Sequence, residues 1–300
     1  MPGGRCYPRR VPWWVLFVGI GVFVVLRLVL GRRQMDATPF LFLRVPLNAI
    51  SFRLRRLFHW RRGAPVLANE DKDDLYRGAE KKREKELRAR YDLAALHACS
   101  TRDVYRENLY VLDLLDRLVV RPEKKALAAI DVGSKDFKYA TGIERFLSRG
   151  GVDVTLTGIE IDGHPVYADL HSRADYGEAY ARATGNPRVG YVVADFLARK
   201  DENLDLVFCF FPFVLRYALV RWGLPLGHFL PEKFFARARA ALAPGGLLVI
   251  VNHTAEEHAR QLELLAEVGM EIVSTGSAES TLVDYEEQTA ERVLTVARRP

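Results

Sequence analysis

The hydrophobic pattern divides the chain into three stretches. Val11 to Leu30 is an apolar run, VPWWVLFVGIGVFVVLRLVL, broken only by Arg27. Its twenty residues would make a helix about 30 Å long, the depth of a bilayer core. Trp13 and Trp14 stand where an interfacial aromatic belt would lie, and Arg27 is close enough to the far end to snorkel outward. The pattern predicts a transmembrane helix over about 11–30. The alternatives are a buried helix or a signal peptide; the latter has a shorter core and a small-residue cleavage site, whereas this run passes into LGRRQMD. A second apolar stretch, about 40–62, is interleaved with arginine. From Ala49 a helix would gather Ile50, Leu54, Leu57 and Phe58 on one face and turn Arg53, Arg55 and Arg56 towards headgroups, predicting a helix lying in the membrane surface. A second, re-entrant or packed helix is the alternative.

Asn69 to Arg90 is highly charged and reads as a solvated helix or linker. Apolar residues return at helical spacing between Leu93 and Val120, with Leu109, Leu112, Leu115 and Val119 able to share a face. Pro122 ends that pattern. Beyond it, short apolar runs alternate with helical stretches. The predicted strands are Ala126–Val132, Val152–Glu160, Val189–Ala194, Leu204–Phe210, Leu247–Asn252, Met270–Thr275 and Arg292–Arg298. The predicted helices are Thr141–Arg149, Tyr176–Ala183, Pro231–Leu242 and Ala255–Val268. Such alternation argues for a doubly wound α/β, Rossmann-like sheet, and cover on both faces explains the nearly continuous apolar inner strands. No crossover helix separates the last two strands, so they should pair antiparallel. The expected organisation is a membrane anchor over 1–63, a charged linker with capping helices over 64–121, and the α/β domain over 122–300.

Composition is that of an ordinary folded protein, 49% hydrophobic and 27% charged, which excludes global disorder. Three cysteines, Cys6, Cys99 and Cys209, make no disulfide framework or zinc spacing. The net charge of +6 is unevenly spread. Residues 1–62 hold twelve arginines and one acid, a balance of +11, while the other 238 hold 32 basic and 37 acidic side chains, a balance of −5. Basicity therefore belongs to the N-terminal arm. A nucleic-acid partner therefore loses most of the support that the overall basicity would lend it, because a basic binding face should sit on the folded domain. Eight of those arginines closely follow the apolar run, which places the C-terminal side in the cytoplasm.

In an open α/β sheet, ligands bind outside the carboxyl ends of the strands. After the first strand comes Asp131-Val132-Gly133-Ser134-Lys135-Asp136, an acid and a turn glycine that lets a ligand approach the backbone. After the second comes Glu160-Ile161-Asp162, where a carboxylate can accept two ribose hydroxyls. After the third comes Asp195-Phe196, an acceptor for an exocyclic amine beside a ring that can stack on a base. After the fourth, Phe210-Phe211-Pro212-Phe213 forms an apolar lip, and Ala243-Pro244-Gly245-Gly246 should turn into the fifth strand. Plainer readings stand beside these: a turn glycine at 133, solvated strand-end acids at 160 and 195, solvated or capping acids at 136 and 162, and core or lid rings at 211 and 213. His164, His171, His228 and His253 fall in or near predicted loops, where a structural role is the commoner one. A nicotinamide fold would want GxGxxG after the first strand, and neither a P-loop, a GxSxG elbow nor an HExxH helix is present.

From about Ala126 to the C-terminus, this ordered set resembles the class I S-adenosylmethionine-dependent methyltransferases. The resemblance implies a seven-stranded sheet with an antiparallel final hairpin, and S-adenosyl-L-methionine as cofactor. It implies that the first loop surrounds the methionine part, that Glu160 binds ribose, and that Asp195 binds the adenine amine. The implied cofactor-binding set is Asp131, Gly133, Ser134, Lys135, Glu160, Ile161, Asp195, Phe196 and Phe211, with the catalytic residues unassigned. There are departures. The usual D-x-G-x-G-x-G loop has Lys135 and Phe137 at its later glycines, so Lys135 either sits near the cofactor carboxylate or hinders its approach. Phe210 stands where amino-group methyltransferases carry a polar residue, which argues against their mechanism. The expected function is a membrane-anchored methyltransferase acting on a small-molecule, lipid or protein acceptor. The alternative is a catalytically inactive, membrane-tethered interaction module.

Overall fold

The computed structural model describes residues 41–282 and 291–300. The expected 11–30 span lies outside them. Among the described residues, no helix is long and apolar enough to cross a membrane.

The sheet has seven strands: β1 Ala126–Val132, β2 Asp153–Glu160, β3 Val189–Val193, β4 Leu204–Phe210, β5 Leu242–Asn252, β6 Glu271–Ser277 and β7 Val293–Arg298. Their order across it is β3-β2-β1-β4-β5-β7-β6. The first five are parallel, while β7 runs antiparallel to both β5 and β6. This is the expected Rossmann-like sheet with its closing hairpin. Strand order reverses between β1 and β4, so the loops leaving their carboxyl ends diverge and open a crevice.

The inner strands are continuously buried because helices cover both faces. On one side lie α2 Gly78–Arg90, α4 Arg102–Leu118, α5 Ala140–Ser148 and α6 Arg173–Ala183; the short α3, Ala94–Ala98, connects the first two. On the other lie α8 Pro231–Ala241 and α9 Ala255–Glu267, whose Phe235, Ala238, Leu264 and Leu265 pack on Val207, Leu248 and Ile250. Leu87, Leu93 and Leu109 share the first core with Leu127 and Leu206, so the helices before residue 121 pack directly on the sheet. The charged 69–90 stretch is ordered by ion pairs. Arg83 donates to Asp113 at 2.8 Å and to Asp116 at 3.0 Å, and Arg90 reaches Asp116 at 2.6 Å.

The expected amphipathic segment is α1, Leu41–Phe58, and it packs on the α/β body. Phe52 is buried against Leu219, Val220 and Leu224, around α7, Arg216–Trp222. Burying such a ring contributes about 2 kcal/mol. Asn48 donates to the carbonyls of Val220 and Leu224 at 2.9 and 3.3 Å. Arg55 forks onto Asp162 at 3.0 and 2.7 Å, and Arg61 donates to the buried Asp175 at 2.8 Å. Ile50, Leu54, Leu57 and Phe58, the face foreseen as apolar, are exposed.

The Pro-Gly-Gly stretch is not a turn ahead of β5. It lies inside that strand, where the register against β4 slips between Leu204 and Leu206. The extra residues are absorbed as an irregularity in the ladder.

Candidate functional site

The loop after β1 carries the most distinctive backbone. Gly133, Lys135 and Phe137 all have positive φ, at +79°, +53° and +58°. These are the three positions at which the D-x-G-x-G-x-G pattern places glycine. All three positions take the left-handed conformation although two of them carry side chains, at a cost of about 1 kcal/mol for each side chain. Local bonds hold it. Gly133 N–H donates to the Ile159 carbonyl at 2.8 Å, Lys135 N–H to Glu160 Oε2 at 2.9 Å, and Tyr191 Oη–H to the Lys135 carbonyl at 2.6 Å. The Phe137 ring is fully buried over Gly158 of β2, where an added Cβ would lie 2.9 Å from the ring. Gly158 leaves the room that this ring occupies.

A cavity of about 670 Å³ opens at the carboxyl ends of β1 to β4, within the size range of cofactor and small-molecule sites. Seven of the nine expected residues line it: Gly133, Lys135, Glu160, Ile161, Asp195, Phe196 and Phe211. The space over Gly133 is open, since a Cβ built there would meet no atom within 4 Å. Asp131 and Ser134 do not line the cavity, because both are fully enclosed behind its wall. Asp131 Oδ2 accepts from Tyr139 Oη at 2.9 Å, whereas its Oδ1 and Ser134 Oγ have no partner. Burial pushes the Asp131 carboxyl up to about 7, with Tyr139 opposing and Glu160 reinforcing the shift.

Glu160 is buried and fixed. Its two oxygens accept from the N–H groups of Asp162, at 2.8 Å, and Lys135, at 2.9 Å, and each keeps a lone pair. Burial raises its pKa, while Arg173, 3.9 Å away, pulls it down. The neighbouring Asp162 is the partner of Arg55 on α1, so it serves as an anchor for that helix. Asp195 is half-buried and caps the short turn Phe196–Ala198 through Oδ1, which accepts from Leu197 N–H at 2.9 Å. Phe196 is buried, its ring 5.6 Å from that of Phe234.

Phe211 also has positive φ, +63°, which is unusual for so bulky a residue. Its N–H donates to the Val251 carbonyl at 2.7 Å. Its ring stacks on His253 with centroids 3.8 Å apart and planes 12° apart, and Arg292 lies 5.7 Å from the ring centre. Of the four histidines singled out in the sequence, His228 and His253 reach the cavity. His164 instead lies against His59, and His171 pairs with Asp169 at 3.2 Å. Asp136 accepts from Tyr167 Oη at 2.8 Å. Sequence reading missed Glu107 and Tyr110 of α4, Tyr139, and Tyr217 and Trp222 of α7, all of which line the cavity. No motif marks them; they arrive through tertiary packing. A smaller cavity of about 230 Å³, near Arg121 and Arg149, includes none of these residues.

No family model matches the chain, and no curated protein matches it. Solved structures do. The geranyl diphosphate C-methyltransferase of Streptomyces coelicolor A3(2), solved with Mg2+, geranyl diphosphate and S-adenosyl-L-homocysteine, is 14% identical; the match covers 85% of this chain and 99% of that one, with a TM-score of 0.47. TrmN from Thermus thermophilus is 18% identical over 64% of this chain and 49% of its own, with a TM-score of 0.44, so the present chain spans about half the length of TrmN. A TehB-like SAM-dependent methyltransferase from Corynebacterium glutamicum is 18% identical over 73% of this chain and 99% of its own, with a TM-score of 0.41. A cyclase, SpnF, is also similar. Likeness at this level leaves reaction and ligand to be argued from the site itself.

Proposed function

We propose that this chain is an S-adenosylmethionine-dependent methyltransferase, held at a membrane by residues 11–30 with its folded part on the cytoplasmic side. The observation that carries the enzymatic reading is the convergence of the loops after β1, β2 and β3 on one open cavity, with Gly133 clear, Glu160 fixed and Asp195 at the rim of the short turn it caps.

When bound, the cofactor supplies an electrophilic methyl group on a sulfonium centre. The chain's own residues position and enclose it. Glu160 accepts the ribose hydroxyls with the lone pairs its backbone donors leave free. Asp195 accepts from the adenine amine through Oδ2, beside Phe196. Phe210 and Phe211 exclude water from the acceptor end, since methyl transfer depends on alignment and desolvation more than on acid–base help. Lys135 borders the cavity, and its ammonium would take the negative end of the cofactor.

The reading as an inactive module drew its support from the altered glycine loop. The left-handed backbone and the clear space over Gly133 favour the active form. Membrane attachment rests on the apolar run and the arginines that follow it, and directs attention to acceptors resident in the bilayer. Incubating the full chain with tritiated-methyl S-adenosylmethionine and membrane extracts tests this. Label should enter the extract with the wild-type chain and not with Glu160→Ala. Binding of S-adenosylhomocysteine with no transfer to any fraction would favour the module.

A further inference from the structure

We propose that the outward face of α1, continued by α7 and the turn Leu226–His228, docks flat on an anionic lipid bilayer. The proposal rests on the membrane-attached half of the preceding reading and is independent of methyl transfer.

The helix presents two different faces. One, built from Val45, Asn48, Phe52 and Arg55, is spent on the α/β body. The opposite one leaves Ile50 55%, Leu54 43%, Leu57 73% and Phe58 73% exposed. At 100° per residue, these four fall within an arc of about 100° centred away from Phe52. Beyond the helix end, Trp60 is 50% exposed. On the elements that α1 packs against, Tyr217, Trp222 and Leu226 are 42%, 43% and 40% exposed. Large apolar side chains left open together on one arc of a helix and on the elements it packs against are what an interaction site presents.

Two observations select a bilayer as its occupant. The first is charge. Residues 37–69 contain no acid, and Arg53 is exposed along one margin of the apolar arc, while the exposed Arg56 lies over the Phe52 ring. A basic margin on an apolar helical face suits anionic headgroups above acyl chains. The second is reach. The apolar run ends at Leu30, ten residues before α1 begins at Leu41. Ten residues extend at most about 35 Å, so a chain crossing the bilayer at 11–30 keeps α1 within that distance of its surface. Docking also brings the cavity to the interface, because Tyr217 and Trp222 belong both to the exposed surface and to the cavity wall. An acceptor dissolved in the bilayer would then enter from the lipid side.

The test uses the full chain with Cys6→Ser and Cys99→Ser, Cys209 being buried. It is reconstituted in vesicles of phosphatidylcholine with or without phosphatidylglycerol. An environment-sensitive fluorophore is attached in turn at Leu57→Cys, at Leu226→Cys, and at Val273→Cys on β6, the opposite edge of the sheet. Quenchers carried on the acyl chains should reach the labels at 57 and 226 but not at 273, and only when phosphatidylglycerol is present. Arg53→Ala should lower the ratio of docked to undocked protein about 5-fold. Quenching at 57 no greater than at 273, or equal in neutral and anionic vesicles, overturns the proposal. Circular dichroism shows that each variant is folded. S-adenosylhomocysteine binding is scored separately, so loss of docking with ligand binding intact overturns the docking alone.

Discussion

Lys135→Gly and Phe137→Gly restore the same sequence pattern and should move stability in opposite directions. Both residues have left-handed backbone, so each change relieves about 1 kcal/mol of strain. At 135 little else is lost. The N–H to Glu160 and the carbonyl that accepts from Tyr191 belong to the backbone. The greater freedom of glycine in the unfolded chain returns about 0.5 kcal/mol of the gain. The net expectation is a stabilisation of about 0.5 kcal/mol. At 137 the change deletes a fully buried ring that fills the space over Gly158 and lies 6.2 Å from Tyr139 and 6.3 Å from Tyr191. Emptying such a site costs about 3–5 kcal/mol, which strain relief reduces to a net loss of about 3 kcal/mol. Urea unfolding of a chain beginning at residue 41 reads both, as shifts in midpoint at constant slope. The reasoning fails if Phe137→Gly costs less than about 1 kcal/mol, or if Lys135→Gly costs more than that.

The enclosed Asp131 carboxyl, raised to about 7, makes stability depend on pH. Between the ordinary carboxylate range and about 7, the folded chain keeps a proton that the unfolded chain has lost, so this group's contribution falls as pH rises through that window, by about 4 kcal/mol at the upper limit. Asp131→Asn should therefore gain on the wild type between pH 5 and pH 8 in urea midpoints; a difference independent of pH would refute the assignment. Arg55→Ala leaves the buried Asp162 carboxylate without its forked partner and should cost about 2 kcal/mol, less than a fully buried pair because Arg55 is partly exposed. Hydrogen exchange should then speed up across α1, and unchanged protection there would show that Phe52 and Asn48 suffice. Lys135→Gly should weaken S-adenosylhomocysteine binding about tenfold by removing a charged contact; a gain in affinity would mean that the side chain obstructs the cleft.

The sheet was readable because burial on both faces writes the inner strands as largely apolar runs, and because Glu160 ends β2 and Asp195 closely follows β3. α7 was not. Its sequence, RYALVRW, follows an apolar lip, has no side-chain cap and at seven residues is too short to establish a helical period. The orientation of α1 was equally hidden: Val45 and Phe52 are as apolar as Leu54 and Leu57, and the choice of buried face was made by Asp162 and by the Val220 and Leu224 carbonyls, more than a hundred residues away. Lys135 and Phe137 looked like erosion of a glycine loop, and the compensating sign, a glycine within β2, has meaning only once the Phe137 ring is seen above it. The sequence placed Asp131 and Ser134 at the carboxyl end of β1 but could not show that burial separates them from the cavity.

Isothermal titration of S-adenosylhomocysteine into a chain beginning at residue 41 tests the central claim, one nucleoside-binding pocket shared by three loops. Saturable heat with one site, lost in Glu160→Ala and weakened in Asp195→Ala, is the expected result. A folded sample that gives no heat at millimolar ligand would contradict it.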